Sequence, residues 1–334
     1  MHALLLASAL LIGCLLAVQT SVNLQLNKAV GTPYGASSVQ LSVATVLLAV
    51  LAVAVGTIGA IRLVPDVPFW HLLGGLASPL YITSGILLFP RLGALAAVGL
   101  FVTGQMFASL GLDLLGLLGL AKKPISLGIV LGAVAVLVGI TVIIRSQRAA
   151  QPAVPPPPPA TGSGGGSVAT ATAPAVAAKQ SGAFQGGWIL LGLVAGAVLP
   201  IQGAVNAQLR KDLQAPVTVA TISFIVATLT IVVVLLLLLA FRRTPQPKFQ
   251  PLGAMPWWGW LGGACAAAYV TATFMLIPEI GAATTVALTV TGQQVASAAI
   301  DNSGLFRLPK RPLTAPRLGG LALLIAGSVL VQLT

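Results

Sequence analysis

Residues 103–126 read TGQMFASLGLDLLGLLGLAKKPIS, and residues 291–314 read TGQQVASAAIDNSGLFRLPKRPLT. Thr103, Gly104, Gln105, Ser109, Asp113, Gly116 and Pro124 thus return 188 positions later as Thr291, Gly292, Gln293, Ser297, Asp301, Gly304 and Pro312. A constant offset over residue types this unlike marks a duplication. Gln105, Ser109 and Asp113 are each four apart, so on a helix an amide, a hydroxyl and a carboxylate share one stripe of an otherwise apolar surface. The second copy repeats that stripe with Gln293, Ser297 and Asp301.

The repeat extends outward from these segments. Pro68, Gly74-Gly75, Tyr81 and Pro90 match Pro256, Gly262-Gly263, Tyr269 and Pro278 at the same offset of 188, whereas Gln19, Asn23, Gln25 and Leu26 match Gln202, Asn206, Gln208 and Leu209 at 183. The difference places an insertion in the loop between Arg242 and Met255, where insertions are tolerated. Because the first apolar segment has a partner in mid-chain and no Lys or Arg precedes its core, it reads as a helix and not as a cleaved leader.

The 334 residues are 57% hydrophobic and 7% charged, with a mean hydropathy of +1.01. Soluble domains carry roughly 25% charged residues, so the chain reads as an integral membrane protein. Apolar runs of about 20 residues, enough to cross roughly 30 Å of hydrocarbon, recur in both halves without the alternation of barrel strands. The expected fold is therefore all-α and polytopic: ten transmembrane helices arranged as two inverted five-helix repeats. The predicted spans are Ala3 to Asn27, Tyr34 to Ile61, Phe69 to Phe89, Leu92 to Leu115 and Ser126 to Ile144. In the second half they are Trp188 to Leu209, Val217 to Phe241, Trp257 to Ile277, Ile280 to Asn302 and Arg317 to Leu333. Residues 1–145 and 186–334 form the two repeats; 146–185, rich in Pro, Gly and Ala with Pro155 to Pro159 consecutive, reads as a disordered tether.

An odd number of spans per repeat makes the second copy cross in the opposite sense. Twelve Lys or Arg then fall on the tether side, and five (Arg62, Lys122, Lys123, Arg210 and Lys211) on the other. Enrichment of basic residues in cytoplasmic loops puts the tether in the cytoplasm and both termini outside. This distribution also accounts for the net charge of +12 without invoking nucleic acid as a partner. Cys14 and Cys265 lie in apolar runs at non-equivalent places, which suits packing and neither a disulfide nor a metal site.

The polar residues left inside the spans are the candidates for function. Gln19, Asn23, Gln202, Asn206, Gln105 and Gln293 are expected to line a cavity shared by the repeats, with Tyr81 and Tyr269 mid-helix beside them. Interhelical hydrogen bonding would explain the amides equally well, and core packing each tyrosine taken singly. Asp113 and Asp301 are candidate coupling groups; the alternative is an interfacial carboxylate paired with Lys122 or Lys310. Pro79 and Pro200 are placed to break helices near Tyr81 and Gln202. With His2 and His71 as the two histidines and Glu279 as the one glutamate, no nucleophile–base pairing or metal spacing emerges, so neither an enzyme nor a cofactor is expected.

Gln202-x-x-x-Asn206-Ala-Gln208-Leu209, Ser223-Phe224, Pro256-Trp257-Trp258, Gly262-Gly263, Tyr269, Pro278-x-x-Gly281-Ala282, Gly292-Gln293, Ser297, Asp301 and Arg311-Pro312 together resemble the YdcZ-type inner-membrane exporters of the drug/metabolite transporter superfamily. The resemblance covers both halves and is weaker in the first, where Gln40-Leu41 replaces the Ser-Phe pair. Family members are often single five-helix units, so this chain looks like a fused pair, which suits a monomer. The resemblance implies export of a small metabolite or drug-like molecule by alternating access. Relatives with a glutamate in the first helix use it for proton exchange, whereas the first helix of each repeat here offers amides. A different class of role, a non-transporting membrane scaffold or assembly subunit whose polar stripes only hold helices together, fits the same residues.

Overall fold

A computed structural model of the chain describes residues 2–119, 122, 124–149, 173–280 and 282–333. Its helices are α1 (His2–Val30), α2 (Pro33–Ala54), α3 (Ala77–Leu115), α4 (Leu127–Ala149), α5 (Ala173–Leu213), α6 (Pro216–Ala240), α7 (Leu261–Ile280), α8 (Ala282–Ser303) and α9 (Ala315–Leu333). Short 3-10 segments, Ile58–Asp66 with Phe69–Leu76 and Gln250–Ala254 with Trp257–Trp260, precede α3 and α7. No strand occurs among the described residues.

α3 is two helices in one. Gly93, at φ 79° and ψ 166°, breaks the helical path, and the rings of Tyr81 and Phe101 meet with centroids 4.8 Å apart. In a continuous helix these residues would stand about 30 Å apart. The chain therefore reverses at Gly93, a backbone conformation that only glycine adopts without strain. Counting both halves, ten helices make up the described bundle. Seven helical stretches are long and apolar enough to cross a membrane, and one of them, Phe69–Leu115 with 47 residues, contains this hairpin. α7 and α8 are not among the seven; α8 buries Thr289, Gln293, Gln294 and Ser297 against its neighbours.

The repeats pack by exchanging equivalent contacts. A methyl group added to Gly13 of α1 would strike the Thr289 carbonyl of α8, and one added to Gly196 of α5 would strike the Phe101 carbonyl of α3, the same contact with the halves swapped. Gly104 likewise lies on Leu193 and Ala197, and Gly292 on Leu10 and Cys14. Close approach of backbones through small residues is how helices associate where lipid removes the hydrophobic drive. α4 and α9 cross with Gly132 on Gly327 and Gly139 on Gly320. As the chain advances along one it retreats along the other, so these equivalent helices run antiparallel and the repeats are inverted. Thr45 and Thr228, equivalents at the 183 offset, hydrogen-bond each other at 2.9 Å between α2 and α6.

Several expectations change in detail. The helix expected to Ile61 stops at Ala54, because Gly56 at φ 72° turns the chain into a 3-10 segment. Neither Pro79 nor Pro200 breaks a helix. Pro79 sits in the first turn of α3, where its missing N–H has no helical acceptor to lose, and α5 continues through Pro200. Helix also occupies both ends of the stretch given to the tether, since α4 reaches Ala149 and α5 starts at Ala173 in an alanine-rich run. The tether's remainder, residues 150–172, lies outside the described residues.

Candidate functional site

The amides of α1 and α5 form two related sets. Asn23 Nδ2 donates to Gln40 Oε1 on α2 at 3.2 Å, and Asn206 Nδ2 donates to Ser223 Oγ on α6 at 3.1 Å. Each Asn carbonyl fills the space of an absent side chain: a methyl group at Gly262 would lie 2.1 Å from Asn23 Oδ1, and one at Gly74 the same distance from Asn206 Oδ1. The double glycines of the two repeats are thus seats for these asparagines. Gln25 Nε2 donates to Phe306 O at 2.9 Å and Gln208 Nε2 to Leu118 O at 2.7 Å, again equivalent contacts. The paired chemistry diverges at the next amide. Gln202 Oε1 accepts from Ser78 Oγ at 3.0 Å, whereas Gln19 Oε1 has no partner, because Ala266 stands where a second serine would be.

The tyrosines and the stripe glutamines meet in the middle. Gln293 Nε2 donates to the Tyr81 hydroxyl at 2.9 Å, and both side chains are buried. Tyr269 is the counterpart of Tyr81 in the second repeat. Thr273 Oγ1 donates to the Tyr269 backbone carbonyl at 2.7 Å. Gln105 Nε2 is buried without a partner. The contact made by Tyr81 and Gln293 is therefore open in the equivalent pair.

The two acids occupy unlike environments. Asp301, 1% exposed, takes the N–H groups of Ala94 at 2.7 Å and Leu95 at 3.1 Å, so its carboxylate caps the helix that restarts after Gly93. Arg317 Nη2 donates to Asp301 Oδ2 at 2.8 Å, while its Nη1 holds the Arg311 and Pro312 carbonyls. Arg311 in turn reaches the carbonyls of Pro90 and Arg91. The partner of Asp301 is Arg317, not the Lys310 of the sequence expectation. Asp113 is half-buried and lines a narrow crevice with Ser109, Ile129 and Gln332.

Four features escaped the sequence reading. Gln294 is fully buried with neither amide atom partnered; its counterpart is Met106, so a search for repeated residues passes over it. Arg317 was counted only as a loop charge, and its counterpart is Ile129. His71 and Asp212 form an ion pair between the approach to α3 and the end of α5. An apolar cleft of about 440 Å³ opens between α2 and α7, lined by Leu47, Val50, Ala268, Thr271 and Met275. Gln40, by contrast, is visible in the sequence as the amide standing where the other half has Ser223.

One of the solved crystal structures is similar over 98% of this chain and 97% of its own, with a TM-score of 0.54 at 18% identity, a likeness of fold alone. A search of the curated proteins finds no significant match. Residues 4–142 and 187–330 each match a family model described as "Putative inner membrane exporter, YdcZ". Two matches in one chain agree with the inverted pair seen in the packing, and the chain belongs to this YdcZ family of inner-membrane exporters, as a multi-pass membrane protein with two family units fused.

Proposed function

We propose that the protein exports a small, uncharged, hydrogen-bonding molecule by alternating access between its two inverted repeats. The unequal state of equivalent pairs carries this reading: Tyr81 and Gln293 are bonded, while Gln105 Nε2, which stands to Tyr269 as Gln293 does to Tyr81, is unpartnered. Inverted repeats that exchange such states, one closing as the other opens, would open the bundle to each side in turn. Buried amide atoms left without partners, Gln19 Oε1, Gln105 Nε2 and both of Gln294, supply the polar groups that a bound solute would satisfy.

In this cycle Tyr81, Gln293, Tyr269, Gln105, Gln19 and Gln202 contact the substrate, and Asn23 and Asn206 hold the lining helices in place. Asp301 belongs to the closure of the tether side, which leaves Asp113 as the acid assigned to coupling. The tether faces the cytoplasm, both termini face outward, and the fused pair works as a monomer, in keeping with the basic loops on the tether side.

Purified protein in liposomes tests the reading by counterflow with a panel of neutral polyols, amides and nucleosides beside lipophilic cations. A transported neutral compound should slow about tenfold in Gln293→Leu and in Gln105→Leu, the cost of roughly one hydrogen bond, with melting temperature retained. If the panel is bound and moved by neither wild type nor any variant, the scaffold role replaces the carrier role.

A further inference from the structure

Tether-side closure depends on the network around Asp301; the opposite side has its own ion pair, and no role above absorbs it. His71 Nδ1 meets Asp212 Oδ2 with the imidazole 10% exposed. The pair bridges the repeats, joining the 3-10 segment Phe69–Leu76 that leads into α3 to the C-terminal turn of α5. Trp70 stands edge-on to the imidazole, with centroids 4.0 Å apart. Next to His71 in the chain, Leu72 packs on Leu209, Leu213, Val219 and Ile222, an apolar plug at that end of the bundle. Neither charged residue is duplicated, since Gly259 and Ala29 hold the equivalent positions.

Resting on the alternating-access reading, we infer that His71 and Asp212 form the gate of the side opposite the tether, held shut while His71 carries its proton. An imidazolium beside a carboxylate keeps both the hydrogen bond and the charge attraction; the neutral imidazole keeps only the bond. Proton loss toward the facing compartment therefore weakens the contact that holds the two repeats together beside the plug, and acid in that compartment keeps it closed. The charged groups on the surrounding elements are Arg62 and Asp66 on the preceding 3-10 segment, Arg210 and Lys211 beside Asp212 on α5, Lys179 in the first turns of the same helix, and Arg91 and Asp113 on α3; α6 has none.

The test uses full-length protein in nanodiscs with Cys14 and Cys265 changed to serine. Leu209→Cys or Val219→Cys then reports exposure of the plug to a membrane-impermeant maleimide, normalised to the exposed Gly59→Cys so that thiol ionisation cancels. Labelling should rise about tenfold as the pH is raised from about 5 to about 8, the span in which histidine is the side chain type that changes charge. Asp212→Asn should label fast at both pH values, and His71→Gln should label at one rate throughout. Plug labelling indifferent to both pH and Asp212→Asn, at the two reporter positions, would overturn the gate. The assay needs no substrate, so a responsive plug in a protein that moves nothing would sink the carrier reading and keep the gate. Transport with an unresponsive plug would do the reverse.

Discussion

The end of the bundle built on Asp301 and the end built on Asp113 descend from one stretch of sequence, yet they have become different devices. At the first, Asp301 caps the restarted half of α3, and Arg317 and Arg311 tie the loop after α8 to the turn at Pro90 and Arg91. At the second, Ile129 stands in place of Arg317, Asp113 is half-buried in a crevice, and the ion pair that joins the repeats on that side is His71 with Asp212. The helices were duplicated and the closures were not. On the alternating-access proposal, the helices must pack alike in both halves, so that either can take the other's state, and the closures must respond to different surroundings on the two sides of a membrane.

Substitutions can break this comparison or sharpen it. The largest effect should come from Arg317→Met, which strands a buried carboxylate: about 3–5 kcal/mol of stability should be lost, while Ile129→Met at the equivalent position should cost under about 1.5 kcal/mol. Unfolding in mixed detergent micelles reads both, and equal losses would mean that the two ends are alike after all. Next, Gly104→Ala and Gly292→Ala place a methyl group 2.0 Å from the Leu193 carbonyl and 1.9 Å from the Leu10 carbonyl. Both should destabilise by a similar amount, about 1–3 kcal/mol, since here the halves match; a large inequality in melting would show that the packing is not shared. The smallest pair concerns Gln202 and Gln19. Ser78→Ala should cost about 0.6 kcal/mol by removing the donor to Gln202, and Ala266→Ser should return a similar amount by supplying one to Gln19. If Ala266→Ser destabilises, Gln19 is facing something other than the site of that missing hydroxyl.

The architecture was legible in the chain because duplication leaves its mark on residue identity. Constant offsets paired Gln19 with Gln202 and Tyr81 with Tyr269, and an odd span count implied inversion before any contact was known. The glycine pairs could be seen but not interpreted, since nothing in Gly74-Gly75 says that an asparagine will rest on it. The candidate site was legible as a set of residue types and not as an arrangement. Gln293 reaches Tyr81 and Gln105 Nε2 finds no partner, though the two glutamines are equivalent in sequence. His71, Asp212, Gln294 and Arg317 were hidden for a related reason: a search for repeated residues discards whatever occurs once.

By composition and spacing alone, this chain was bound to be a membrane-embedded pair of five-helix units related by inversion. Hydrocarbon forces every backbone polar group into a helix, and an odd number of crossings turns the second unit over. Which polar atoms find partners was decided only in three dimensions. A buried amide's role depends on whether a serine, an alanine or a glycine lies opposite on another helix, and those neighbours are up to hundreds of residues away along the chain.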